Sequence, residues 1–420
     1  MKRNNMAKRI KQQALALQSN ILWNTIGSLV YLGLQWLTTV IVVYLAGYGA
    51  AGDLSLAMSA SNFLISFSLY GMRTYQVSDQ KNRYAPEIYL GSRFMTCAGA
   101  VLLGVGLVLV NGYPLRQAGC ILLYLLYRLS EATVDVLHGF EQKAGRMDYI
   151  GISFLLRGVL SFGAFVGVLA LGGSLNQAIL AMAVLVHAVV FLYDWPHTCH
   201  LQRFQHKPQV RGSYPLLKEC FPFMVYLFLI NGVNSVPRFA IEAQLGEEIL
   251  GYYSSVATPA TLVQMAATFI FSPLIVPLTE AWNGKDKKQF GTWMFVCGGA
   301  IAAITAAALL GGKLLGAWAL QLIFGESILP YAYLLQPVLL CACLTAFSWF
   351  LCTVMVIIRK KWLLVAVCAA GFLASWLSSS CFVRLMGENG ASFSIILGQG
   401  LMGILLAGIM LISMKKHFDR

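Results

Sequence analysis

GCILLYLLYRLSEATVDVLHGF, residues 119–140, starts as a membrane helix and then stops looking like one. Its first half is apolar, whereas its second half holds Arg128, Glu131 and Asp135, spaced three and four apart. On a helix that spacing puts all three on one face. A buried charge costs at least about 2.5–3.5 kcal/mol in a bilayer even on the mildest scale, so this face cannot look at lipid. Read as a span, the stretch turns it toward a bundle interior or a watery cavity.

The rest of the chain supports reading it as a span. Of 420 residues, 58% are hydrophobic and 11% charged, and the mean hydropathy is +0.70, a composition that excludes a soluble globular domain. With about twenty residues per span, helices fall near 20–45, 50–72, 90–111, 118–139, 147–171, 174–195, 214–238, 249–279, 290–312, 330–357, 362–385 and 392–414. The fold class is thus an all-α polytopic membrane protein with twelve transmembrane helices. Segment 313–328, interrupted by Gly325, reads as a short re-entrant or interfacial piece. The first apolar run is too long for a signal-peptide core and is expected to stay attached.

Orientation follows from charge. Clusters at 2–11, 73–93, 143–146, 203–218, 285–288, 359–361 and 415–420 hold 24 of the 30 lysines and arginines. They share one side if both termini are cytoplasmic. The net charge of +13 is then an attraction to an anionic inner leaflet of membrane lipids, not to nucleic acid.

The longest polar break, HTCHLQRFQHKPQVRGSYP at 197–215, divides the chain into six-helix halves, 1–212 and 213–420. The halves echo each other: Gly47, Gly52 and Ser55 recur as Gly246, Gly251 and Ser254, each 199 residues later. Parallel repeats of this kind place a transporter's substrate site between two bundles. His197, Cys199, His200 and His206 in the break match no zinc spacing, and no metal site is expected. The ten cysteines include no C-x-x-C pair and read as small packing residues. Pro222, Pro237, Pro259, Pro273 and Pro277 fall in the seventh and eighth spans, as hinges or as static kinks.

Arg157 enters from the fifth span at a depth comparable with Glu131 and Asp135. Two readings stand for these charges. They form a self-neutralising lock between helices, or one arginine, first of all Arg128, is left to bind an anion while a carboxylate orients it or titrates. Arg73 and Arg238 anchor their helices at the headgroups or mark the two mouths of an anion path. Asn24, Gln35, Asn62 and Asn234 supply neutral hydrogen bonds to a sugar, or glue between helices.

SNILWNTIGSLVYLGLQWLTTVIVVYL (19–45), GMRTYQVSD (71–79) and NSVPRFAIEAQLGEEILGYYSSVATPATLVQ (234–264) resemble the polysaccharide-biosynthesis flippases, the O-antigen and capsule translocases of the multidrug/oligosaccharidyl-lipid/polysaccharide exporter superfamily. The similarity runs over nearly the whole chain. It implies a MATE-like fold of two six-helix lobes in the bacterial cytoplasmic membrane. It also implies alternating access for a short glycan on undecaprenyl pyrophosphate, with a glycan polymerase and glycosyltransferases as pathway partners. No cofactor is implied beyond sodium or proton coupling. The drug-exporting branch carries an acid on its first span; this first span has none, which leaves Glu131 and Asp135 for coupling. The rival readings are a multidrug or metabolite antiporter and, outside transport, a membrane glycan polymerase. The short external breaks argue against the polymerase and against any enzyme.

Overall fold

The computed structural model describes residues 2–79, 82–202, 204, 208–271 and 274–418, with side chains described throughout these except at 2–21, 78 and 268–270. Among the described residues the secondary structure is helical, without strands. Among these residues nine helices are long and apolar enough to cross a membrane. The chain is therefore a multi-pass membrane protein. The helix that contains residues 119–140 is absent from those nine because of its charges.

The chain divides into two compact units, 1–41 with 60–224 and 42–59 with 225–420. This differs from a cut at residue 212. The segment 42–59 makes its tertiary contacts with helices from the second half, and the N-terminal part of the eighth helix packs into the first unit.

In the first unit lie the flanking parts of α1 (Lys2–Leu69), then α2 (Met72–Ser78), α3 (Pro86–Asn111), α4 (Leu115–Lys143), α5 (Met147–Ala170) and α6 (Leu175–Val189). A π turn, Val190–Asp194, leads into α7 (Trp195–Leu201). His197 and His200 thus sit on a helix and not in a loop, and His206 lies outside the described residues. Helix α4 is central: α2, α3, α6 and α7 all pack on it. Its apolar residues Val134, Val136, Leu137 and Phe140 close a core with Met72, Tyr89, Leu90, Val190, Leu216 and Cys220. Leu125 and Leu129 close a second one with Leu64 and Ala100.

The second unit comprises most of α8 (Ser213–Leu245), then α9 (Glu247–Phe271), α10 (Ile275–Asn283), α11 (Lys287–Phe324), a 3-10 segment (Glu326–Leu334), α12 (Leu335–Ile357), α13 (Lys361–Met386) and α14 (Asn389–Phe418). Helices α8 and α9 run through Pro222, Pro237 and Pro259 without ending, and Pro273 lies outside the described residues. Segment 313–324 is no separate re-entrant piece: α11 continues unbroken to Phe324 and stops at Gly325. Within that helix Gly312 serves packing, since a Cβ there would stand 2.3 Å from Leu339 Cδ1.

The 199-residue echo is a contact. Gly47 breaks α1 at φ 82°, and Gly246 separates α8 from α9 at φ 86°, a region that side chains rarely adopt. The helices that start after each break meet backbone to backbone. A Cβ on Gly52 would lie 1.8 Å from the carbonyl oxygen of Glu247, and one on Gly251 would lie 1.9 Å from that of Tyr48. Ser254 Oγ donates to Ser55 Oγ at 2.5 Å. Equivalent residues thus contact each other reciprocally, as in a two-fold interface. Tyr48 stacks on Tyr252 at 3.9 Å, and Tyr252 on Tyr331 at 4.2 Å.

Candidate functional site

The charged face of α4 forms two separate ion clusters and a third, unbalanced group. In the first cluster, Arg128 Nη1 lies 2.7 Å from Glu131 Oε1 and 2.6 Å from Oε2, an i,i+3 pair along one helix. Tyr31 from α1 donates to Glu131 Oε1 at 2.6 Å, and Gln35 reaches Tyr127 at 3.2 Å and Glu131 at 3.4 Å. With both charged side chains under one-fifth exposed, the pair is well shielded. Arg128 therefore stands neutralised by its own helix.

In the second cluster Asp135 accepts from Arg93 Nη2 at 2.8 Å, with Arg73 Nη1 3.9 Å away. Arg93 is 3% exposed, and it also donates to the carbonyl of Ser68. Arg73 is held by Gln142, which accepts from its Nε at 3.2 Å and from its Nη2 at 2.9 Å. Sequence reasoning placed Arg93 among the interfacial basic residues and so missed Asp135's main partner. Next to this end of α4, Glu219 gathers Arg83 at 2.9 Å, Tyr84 at 3.3 Å and the Tyr75 hydroxyl. The Glu219 carboxylate raises the pKa of the Arg83 guanidinium, which lies in the loop before α3.

Two arginines set within helices away from the basic clusters, Arg157 and Arg238, have no carboxylate partner among the described residues. Arg157 is 1% exposed; its Nη2 donates to Ser130 Oγ at 2.8 Å, and its guanidinium lies 5.8 Å from the centroid of the Tyr31 ring. Its Nε has no hydrogen-bond partner. Arg157 thus sits beside the Arg128–Glu131 cluster without closing an ion pair in it. Arg238, on α8 in the second unit, is half-buried, and its Nε is likewise unpartnered. The ionisable groups that act on it are Tyr253 and Cys341, both neutral in their ordinary forms.

The predicted neutral groups divide. Gln35 joins the Arg128 cluster, and Asn234 accepts from Thr345 at 3.3 Å within the second unit. Asn24 and Asn62 are half-buried. A third ionisable group was not anticipated at all: His138 and Glu141 on α4 with Asp194 on the π turn, each at most 1% exposed. The signal was the three-residue spacing of His138 and Glu141, and it was obscured because both sit beyond the apolar run. Among the described residues no group of three or more His, Cys, Asp or Glu is arranged to hold a metal ion.

No family model matches the chain. A capsular polysaccharide biosynthesis protein of Staphylococcus aureus, CapF, is 24% identical over 264 residues, 61% of this chain and 64% of that protein. The match thus spans less than two thirds of the relative's own length. Among solved structures, the Vibrio cholerae MATE transporter VcmN superposes with a TM-score of 0.64 at 12% identity, covering 97% of this chain and 98% of that one. The fold is that of the MATE transporters. The eukaryotic MATE transporter AtDTX14 gives a TM-score of 0.60 at 14% identity over 97% and 99% of the two chains. A MOP superfamily transporter from Pyrococcus furiosus, described as having a binding pocket of reversed polarity, gives 0.61 at 15% over 95% and 97%. Against this MATE-type frame, the charge inside the first unit marks where its chemistry differs from plain helix packing.

Proposed function

We propose that this chain is a flippase that moves a short glycan on undecaprenyl pyrophosphate across the bacterial cytoplasmic membrane by alternating access, for capsule, O-antigen or exopolysaccharide assembly. Helix α1 counts as two passes divided at Gly47; α6 with the π turn and α7 counts as one, and the 3-10 segment joins α12. With α3, α4, α5, α8, α9, α11, α13 and α14, we count twelve passes on this reading, taken as two lobes of six. An even number leaves both termini on the side of the basic clusters, which the positive-inside rule makes cytoplasmic.

The observation that carries the substrate class is the pair of guanidinium groups without carboxylates, Arg157 and Arg238. An uncompensated buried cation is costly unless an anion comes to it. Arginine suits a pyrophosphate because its planar fork donates two parallel hydrogen bonds and never loses its charge. A carrier of cationic drugs would be repelled by the same groups. The likeness to a capsular polysaccharide biosynthesis protein points the same way. Of the four arginines in question, Arg238 is the foremost ligand, since it is half-buried and unpaired, and Arg157 follows. Arg128 and Arg73 are held by Glu131 and Gln142, and would bind substrate only after releasing them. Transport is driven by sodium or protons, and the pathway's polymerase and glycosyltransferases are the expected partners.

The test is flipping of a fluorescent undecaprenyl-pyrophosphate oligosaccharide in proteoliposomes. Wild type should flip it. Arg238→Ala should abolish flipping at matched levels of folded protein, and Arg238→Lys should restore only part. A wild-type protein that leaves this lipid in place while moving a cationic dye would establish the antiporter alternative. Polymerised glycan in the same vesicles would establish an enzyme.

A further inference from the structure

The first unit buries two carboxylates and an imidazole that its ion clusters do not absorb. His138 and Glu141 lie three apart on α4 and so share a face. Asp194 is the last residue of the π turn, and Thr198 follows one helical turn later on α7. His138 Nε2 stands 3.7 Å from Asp194 Oδ1, and Thr198 donates to Glu141 Oε1 at 3.2 Å. Beyond that, both oxygens of Asp194, Glu141 Oε2 and His138 Nε2 have no hydrogen-bond partner. Asp194 and Glu141 are fully buried.

Charged groups from the neighbouring elements do not complete this set. Arg73 from α2 and Arg157 from α5 act on it only through space, since Arg73 bonds Gln142 and Arg157 bonds Ser130. Asp148 of α5 adds a further negative field and is itself bound by Arg146 at 2.7 Å. Tyr193 and Tyr149, the phenols alongside, are neutral in their ordinary forms. An ionised carboxylate without partners costs several kcal/mol in such an interior, and two near each other cost more. A short π turn at this point is the kind of backbone irregularity that accompanies functional sites in helices. The groups converge too loosely to cage a metal ion, yet each of the three is a proton acceptor.

We propose that His138, Glu141 and Asp194 form a proton-binding site in the first unit. A proton arriving from water is taken onto a free oxygen of Asp194 or Glu141, with the His138 imidazole as the neighbouring acceptor through which it passes. The site supplies the coupling chemistry that Glu131 and Asp135, held by Arg128 and Arg93, do not offer. It needs no particular transported substrate, so it stands apart from the glycolipid reading above.

The experiment is infrared difference spectroscopy of the full-length protein in nanodiscs, titrated with acid and base. The expected result is a protonated-carboxyl band that vanishes on raising the pH, shifts in protein grown on isotope-labelled aspartate and glutamate, and is lost in Asp194→Asn with Glu141→Gln. Exchange of potassium for sodium at constant pH should leave it in place. Absence of the band in wild type overturns the proposal, as does its survival in the double variant. Its removal by sodium at constant pH would make this a sodium site and would equally overturn it. If the double variant does not fold, Asp194→Asn and Glu141→Gln are read singly, and survival of the undiminished band in both overturns the proposal. Failure to flip a lipid-linked glycan leaves the band untouched, so the two readings fail separately.

Discussion

The two units bind their helices together by opposite means. Within the first, Arg93, Glu141, Arg157, Asp194 and His138 are buried along with many hydroxyls. Within the second, Asp53 is the one buried carboxylate and no Lys, Arg or His is buried, among the described residues; the remaining buried polar groups are serines, threonines and Gln399. There Ser375 donates to the carbonyl of Val233 at 3.0 Å, Ser348 to that of Gln399 at 3.2 Å, and glycines let helices close. A Cβ on Gly371 would sit 2.2 Å from Met402. Small residues and hydroxyls are what helices in lipid ordinarily use to associate. Buried ion pairs contribute little net stability, so their concentration in one unit calls for another reason. The proton and anion sites proposed above would supply that reason.

The comparison is broken most directly by removing a charge from the first unit. Asp135→Ala leaves Arg93 buried without its carboxylate, and the loss should be about 3–5 kcal/mol, seen as a large fall in thermal stability in detergent. Arg93→Met combined with Asp135→Leu should recover most of it, because an apolar pair of similar volume replaces the ion pair. If Asp135→Ala were as stable as wild type, the first unit would not depend on its charges and the contrast would fall.

A smaller effect is expected in the second unit from backbone contact alone. Gly251→Ala puts a methyl group 1.9 Å from the Tyr48 carbonyl oxygen, so the two helices must part. Overpacking of this kind costs about 1–3 kcal/mol. Gly33→Ala, where a Cβ meets nothing within 4 Å, should instead gain up to about 1 kcal/mol from helix propensity. The difference in melting temperature between the two variants measures the close approach directly.

Much of this was legible in the sequence because lipid leaves few choices. The long apolar runs and the face of Arg128, Glu131 and Asp135 could only be helices turned inward. The pairing inside that face was not legible. Spacing shows that Glu131 is near Arg128, yet whether Asp135 meets Arg157, Arg73 or Arg93 depends on helix rotation and depth, which a one-dimensional pattern does not carry. Arg93 was discounted for standing near a span's end, where a basic residue usually faces headgroups. Segment 313–328 misled for a related reason: Gly325 in an apolar run signals a break, and only the structure shows that this break ends α11 at Phe324 and does not set off a separate piece. Asp194 was hidden by its place in YDWP, where the π turn buries a residue that reads as the start of a loop.

The 199-residue echo is the case in which sequence and structure say the same thing, and it yields the finest of these comparisons. Ser55 and Ser254 match in the repeat and share one hydrogen bond at 2.5 Å. Each single alanine variant removes that bond, and so does the pair, so a double-mutant cycle should give a coupling of about 0.6 kcal/mol, typical of hydroxyl bonds between membrane helices. The cycle reads the contact and not the hydroxyls, because each serine's other interactions cancel. A coupling near zero would mean that the glycines alone hold the seam. A coupling of the expected size would show that the repeat conserves a bond as well as a shape, and that the second unit's cohesion is built from pairs that the two halves of the chain contribute equally.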